Sequence, residues 1–388
     1  MTERAPNAIT TAVTAASGAL LALSLAALAT LCLALRIPMA DALVYRAEGA
    51  AVVNGTDLYG FTVTEWHLPA TYPPFAALLF VPAAWLPLPV LKAAFLVGNA
   101  ALLALWVRLS CRFAGMKPPL AYVLAATAAG LWLEPVFQTL LFGQINLALG
   151  CLVLWDLSRP AGAVGKGLAV GIAAGIKVTP LFFVLHLLVR GRHREAATAL
   201  AGFGATVLLG VLVLPYASVE FWTRRLFETG RVGKAWIVDN QSLQGFAARL
   251  LHTAGPGAVW AVCAVAVGAA GLRTAGRADE RRALLVTAFT ALLISPISWS
   301  HHWVWCVPLL ALLMAEGHPR TAAALAAVFT ARTLWLVPHE GGLVLQLPLW
   351  QQPLASPYAL VGLAVVGWAA WSVLAQPPAR SSSASMIR

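Results

Sequence analysis

Apolar runs of membrane-spanning length recur along almost the whole chain, from GALLALSLAALATLCLAL at residues 18–35 to YALVGLAVVGWAAWSVLA at residues 358–375. Backbone in hydrocarbon has to close its hydrogen bonds internally, which leaves helices or a closed barrel. A barrel needs short alternating segments around a polar lumen, whereas these runs are continuously apolar and rich in Ala and Leu. The chain therefore reads as an all-α polytopic integral membrane protein. Its 60% hydrophobic and 11% charged residues fit that class, since an average soluble domain is roughly a quarter charged.

The net charge of +11 sits mostly in short clusters between apolar runs: RGRHRE from Arg190, RTAGRADERR from Arg273 and EGHPR ending at Arg320. This is the positive-inside pattern of cytoplasmic loops rather than a nucleic-acid footprint. The five cysteines are scattered without paired spacing and read as small core residues. The first run exceeds a signal-peptide h-region and reads as a retained helix.

Placing spans at residues 358–374, 322–336, 303–314, 283–294, 258–271 and 196–214 puts every basic cluster from Arg190 to Arg320 inside. Residues 41–72, 216–255, the SPISWSHH stretch from Ser295 and the loop from Val337 then share the outer face of a plasma-membrane protein. Residues 376–388 read as a disordered cytoplasmic tail on a single transmembrane domain, 1–375. Four apolar segments lie between Pro73 and Arg159, where parity requires an odd number of crossings, so one fails to span. Pro73, Pro74, Pro82, Pro87 and Pro89 make the second helix short or kinked. Lys177 and Pro180 break the segment 167–190 into a broken or re-entrant pair, tolerated where it lines a cavity. The expected total is about ten to twelve membrane helices.

Candidate chemistry gathers in the outer segments. Asp41 follows the first span and opens DALVYRAEGAAVVN, a helix ending at Asn54-Gly55; it is either the cap of that helix or a carboxylate that takes a proton at the membrane surface. His301 and His302 stand in a Trp-rich outer loop, where imidazoles exchange protons near neutral pH and Trp299 can stack on a sugar face. Adjacent histidines point apart, and nothing nearby completes a metal site. Lys177, alone in an apolar stretch, either pairs with an anion such as a lipid-linked phosphate or snorkels to headgroups. Gln144, Asn146, Asn240 and Gln241 offer amides to sugar hydroxyls or serve turns. Arg225, in the outer loop with Arg224 and Arg231, either holds an anion or lies on anionic lipid.

The segments DALVYRAEGAAVVNGTDLY, TYPPFAALLFVPAAWLP, GQINLAL, GLAVGIAAGIKVTPLFFVLHLLVRGR, NQSLQGFAARL and SPISWSHHWVW, in that order, resemble the GT-C membrane glycosyltransferases of glycosyltransferase family 87. The resemblance implies a polyprenyl-phosphate sugar donor, most often mannose, and a glycolipid or cell-wall glycan acceptor. It also implies inverting transfer on the extracytoplasmic face, without cofactor or metal. It places the essential acid at Asp41 and the family's histidines at His301 and His302. Ser300 stands where some relatives carry an acid. Lys177, Arg46 and Arg225 are the expected phosphate-binding cations. Tyr45, Tyr72, Gln144, Asn146, Asn240, Gln241 and Trp299 are the expected sugar or acceptor contacts. The competing class is a transporter or lipid flippase, against which no internal repeat is visible.

Overall fold

Prolines and polar breaks cut the apolar chain into helices of unequal length, as a computed structural model describes over residues 8–339 and 341–375. The tail expected to be disordered, 376–388, lies outside the described residues. The first run contains no proline after residue 8 and forms one 27-residue helix, α1 (Ala8–Ala34). α2 (Ala40–Asn54) begins after Met39 takes a left-handed turn and stops at Gly55, whose φ of 64° turns its N–H back to the Ala51 and Val52 carbonyls. A short antiparallel ribbon, β1 (Thr62–Val63) and β2 (Leu68–Pro69), follows. α3 (Pro74–Trp85) starts on a proline, contains Pro82 and lasts only 12 residues; Pro87 then precedes the 26-residue α4 (Leu88–Phe113).

α5 (Leu120–Gly130) and α6 (Glu134–Phe142) meet at 76°, a broken span or a re-entrant pair within the stretch where one segment is expected not to cross. α7 (Asn146–Leu157) follows the turn at Gly143. α8 (Leu168–Ile176) ends at an extended Lys177, and a 3-10 turn, Thr179–Leu181, leads into α9 (Phe182–Val189), so the break falls where a charge and a proline predict it. The chain continues through α10 (His193–Val213), α11 (Pro215–Thr223), α12 (Leu243–Leu250), α13 (Gly257–Ala275) and α14 (Glu280–Ile294). A 3-10 segment, Ser300–Trp305, carries both histidines into α15 (Cys306–Ala315). α16 (Pro319–Thr330), α17 (Gln352–Ala355) and α18 (Pro357–Leu374) complete the molecule.

The all-α polytopic class is what the structure shows. Among the described residues, five helices are long and apolar enough to cross a membrane, or six if the bent pair α5–α6 is one span. About ten to twelve membrane helices were expected from the apolar runs. Several of those runs instead form helices of 10–17 residues, because prolines and Lys177 interrupt them. The outer faces of the long helices are apolar, with Leu23, Val97, Leu212 and Val265 each more than half exposed, as lipid-facing side chains should be. Helix pairs approach closely at small residues, which matters where lipid is as apolar as the side chains. A Cβ on Gly171 of α8 would strike the Ala199 carbonyl of α10, and one on Gly49 of α2 would strike the Phe80 carbonyl of α3. One core runs from Leu28 and Tyr45 through Trp106 and Phe289 to Tyr358.

Candidate active site

Asp41, Tyr45 and Glu48 recur at i, i+4 and i+7, so they share one face of α2. Asp41 does not cap the helix: Met39 holds the cap position, and no side chain makes a cap hydrogen bond. The Asp41 carboxylate is half-buried and is hydrogen-bonded by Gln144. Gln144 reaches it because Gly143 turns with φ 67° directly against α2, where an added Cβ would lie 2.7 Å from the Ala42 methyl. The Gln144 Oε1 accepts from the Tyr45 hydroxyl at 3.0 Å and the Tyr72 hydroxyl at 3.2 Å. Its amide nitrogen is thereby the group left to donate to Asp41. Burial raises the Asp41 carboxyl to about 6, opposed by the Gln144 hydrogen bond and the Lys177 charge.

The facing wall is built at the break after α8. Lys177 Nζ donates to Asn146 Oδ1 at 3.3 Å, lies 3.0 Å from His302 Nε2 and stands 5.2 Å over the Tyr72 ring. An ammonium has no acceptor, so His302 Nε2 offers its lone pair to Lys177 and carries its proton on Nδ1. His301 packs edge-on to His302 at 4.8 Å, and its carbonyl accepts from Asn146 Nδ2 at 3.0 Å and from Thr139 Oγ1 at 3.3 Å. Trp106 Nε1 holds the same segment through the Val304 carbonyl at 3.0 Å. Asp41, Tyr45, Tyr72, Gln144, Asn146, Lys177, His301 and His302 thus form one connected cluster drawn from five parts of the chain.

The other expected site residues stand elsewhere. Asn240 and Gln241 are fully buried and spend their amides on the fold. Asn240 Nδ2 donates to the Ala235 and Pro296 carbonyls, and its Oδ1 accepts from the Ser298 N–H. Gln241 Nε2 donates to the Val238 and Ala355 carbonyls, and its Oε1 accepts from the Tyr358 N–H. Neither amide is free for a sugar. Trp299 bridges Asn240 through its backbone and packs its ring against Gly233. Arg225 is committed to Glu220 and Glu228, at 2.6 and 2.7 Å, rather than to the cluster. Arg46 follows Tyr45 on α2, about 100° around the helix, with its Nε buried and unpartnered.

Two acids are added that the sequence did not single out. Glu48 is 1% exposed, and burial raises it to about 8. The i+7 spacing from Asp41 was its only signal. Glu134, fully buried on α6, accepts from the Tyr358 hydroxyl at 2.7 Å and is hydrogen-bonded to Ser300. A carboxyl absent beside the histidines in sequence is therefore supplied to that turn from another helix.

Two apolar grooves meet the cluster. One, of about 640 Å³, has Asn146, Lys177 and His302 at its polar end and runs between Val153, Phe183, Leu188 and Ala291. The other, of about 310 Å³, lies between α3, α4 and α7 and reaches Gln144. A carboxylate that can accept a proton, a cation that can meet a phosphate, and two slots for hydrocarbon are thus assembled in one place.

Residues 70–296 match glycosyltransferase family 87. The chain is 36% identical over 308 residues to the polyprenol-phosphate-mannose-dependent alpha-(1-2)-phosphatidylinositol mannoside mannosyltransferase of Mycobacterium tuberculosis, covering 73% of this chain and 72% of that one. It is 34% identical over 328 residues to the corresponding pentamannoside mannosyltransferase of Mycolicibacterium smegmatis, covering 81% and 80%. No solved structure gives a significant match.

Proposed function

This chain belongs to glycosyltransferase family 87, and we propose that it moves a mannosyl group from a polyprenyl-phosphate donor to a hydroxyl of a phosphatidylinositol-mannoside-like glycolipid. Family membership disfavours the transporter or flippase reading. The reaction runs on the extracytoplasmic face of the plasma membrane. The observation that carries the proposal is the meeting of Asp41, Gln144, Lys177 and His302 at the end of an apolar groove.

In a single displacement the acceptor oxygen attacks the anomeric carbon while its proton passes to an Asp41 carboxylate oxygen. The bond from the anomeric carbon to the phosphate oxygen breaks, and its electron pair leaves on polyprenyl phosphate. Lys177 meets that developing charge, so the leaving group needs no added proton or cofactor. Asp41 is the base in preference to His302, because the His302 Nε2 lone pair is directed at the Lys177 ammonium. His302 and Asn146 hold Lys177 in place. Tyr45, Tyr72 and Gln144 orient Asp41. The 640 Å³ groove takes the first prenyl units, and the 310 Å³ groove takes an acyl chain of the acceptor.

The test is transfer from labelled polyprenyl-phosphate mannose to a lipid extract by purified protein in nanodiscs. The wild type should give a lipid-soluble mannosylated product that Asp41→Asn and Lys177→Met do not. Full activity in a folded Asp41→Asn would move the base role away from Asp41. No transfer by the wild type would refute mannose as the sugar.

A further inference from the structure

A third cavity, of about 960 Å³, opens beside α4 and the start of α5, on the face away from Asp41. Its position follows from α4. Lys92, near the start of that helix, donates from Nζ to the Ile37 carbonyl at 2.9 Å, which ties this end to the entrance of α2. Twenty residues on, α4 has travelled about 30 Å at 1.5 Å per residue, roughly the thickness of the hydrocarbon core. Arg108 and Arg112 therefore emerge at the opposite membrane face, where they line the cavity with Lys117. Arg281, at the start of α14, adds a fourth cation: its Nη2 would lie 2.6 Å from a Cβ placed on Gly115, another lining residue.

Three arginines of the basic clusters are neutralised. Arg190 and Arg192 pair with Glu280, and Arg282 pairs with Asp279 and Glu316. Among the described residues, the side chains of Arg108, Arg112, Lys117 and Arg281 make no ion pair, and no acid lines the cavity. Its wall is apolar, with Leu105, Val123 and Leu124. Positive-inside charge alone requires only that cations flank a span; it does not require a cavity with a hydrocarbon wall beneath them.

We propose that this cavity binds an anionic phospholipid from the leaflet opposite the active site. Arg108, Arg112, Lys117 and Arg281 hold the headgroup phosphate, and Leu105, Val123 and Leu124 receive the start of an acyl chain. Arginine forks suit a phosphate, and a cationic headgroup such as choline is repelled by the same four charges.

Delipidated full-length protein, titrated with phosphatidylglycerol, phosphatidylcholine or inorganic phosphate and read by native mass spectrometry, tests this. Phosphatidylglycerol should bind at least tenfold more tightly than phosphatidylcholine. At about a factor of five per cation near the site, Arg108→Gln/Arg112→Gln/Lys117→Gln should weaken that binding roughly a hundredfold. The control Arg273→Gln/Arg277→Gln/Arg320→Gln removes equal charge outside the cavity and should leave binding within about threefold of wild type. Leu105→Trp, at a 44% exposed wall position, should also weaken binding with every charge intact, which keeps the test open if the triple variant does not fold. Equal losses in the two triple variants, equal affinity for the two lipids, or competition by inorganic phosphate at lipid-like concentrations would each overturn the proposal.

Discussion

Asp41 and Glu48 lie two helical turns apart on α2, and burial raises both carboxyls, Asp41 to about 6 and Glu48 to about 8. At neutral pH Asp41 is then ionised and able to take a proton, while Glu48 is protonated and able to donate a hydrogen bond. Activity should accordingly rise with pH through about 6 and level off above it, which a kcat/KM profile for mannosyl transfer will show. Asp41→Asn should cost about 10²- to 10⁴-fold in that assay. Stability runs the other way. The folded-state value of Asp41 lies above its unfolded value near 4, so its ionisation in the folded protein disfavours folding as pH rises through about 6. Asp41→Asn should therefore melt higher than wild type at pH 7.5, by on the order of 1–2 kcal/mol of stability, and close to wild type near pH 4. Glu48→Gln replaces a neutral acid by a neutral amide and should keep activity within about threefold at pH 7. It should also leave the pH midpoint near 6 unchanged, because Glu48 is already uncharged where Asp41 titrates.

At the scale of elements, Gly143 decides whether the site exists. It joins α6 to the Gln144 turn with a positive φ and leaves no room for a side chain against Ala42. Gly143→Val should lower stability by about 1–3 kcal/mol and transfer by roughly a hundredfold, since displacing Gln144 by about 1 Å spoils its hold on Asp41. Thermal melting beside the transfer assay separates the two effects. Helices were legible in the sequence where apolar runs are long: α10, α13, α14 and α18 lie close to the expected spans. The break at Lys177 was legible because Pro180 and a charge in an apolar stretch both oppose a continuous helix. Asp41, Gln144, Asn146, Lys177 and the histidine pair were legible as polar residues where burial has a cost, and they converge. Asn240 and Gln241 carried the same signal and went to backbone carbonyls, because composition does not say which way an amide turns. Glu134 gave no local signal at all, since its partners Tyr358 and Ser300 lie more than 160 residues away.

At the scale of the whole molecule, the Asp41–Lys177 cluster stands where apolar grooves lead toward lipid. A water-soluble transferase can enclose both substrates; here the hydrocarbon of each can stay in the bilayer while only its head reaches Asp41 and Lys177. Binding energy for the donor then depends on how many prenyl carbons the larger groove covers, at about 0.8 kcal/mol for each buried CH₂. Ala291, a half-buried residue on the wall of that groove, tests the dependence. Ala291→Trp should exclude about two methylene equivalents and raise KM for a long-chain polyprenyl-phosphate mannose about tenfold, with kcat unchanged. A short-chain donor that does not reach Ala291 should keep its KM within about twofold. A parallel loss for both donors would mean that the indole disturbs the Lys177 end instead, and that the prenyl chain leaves the cluster by another path.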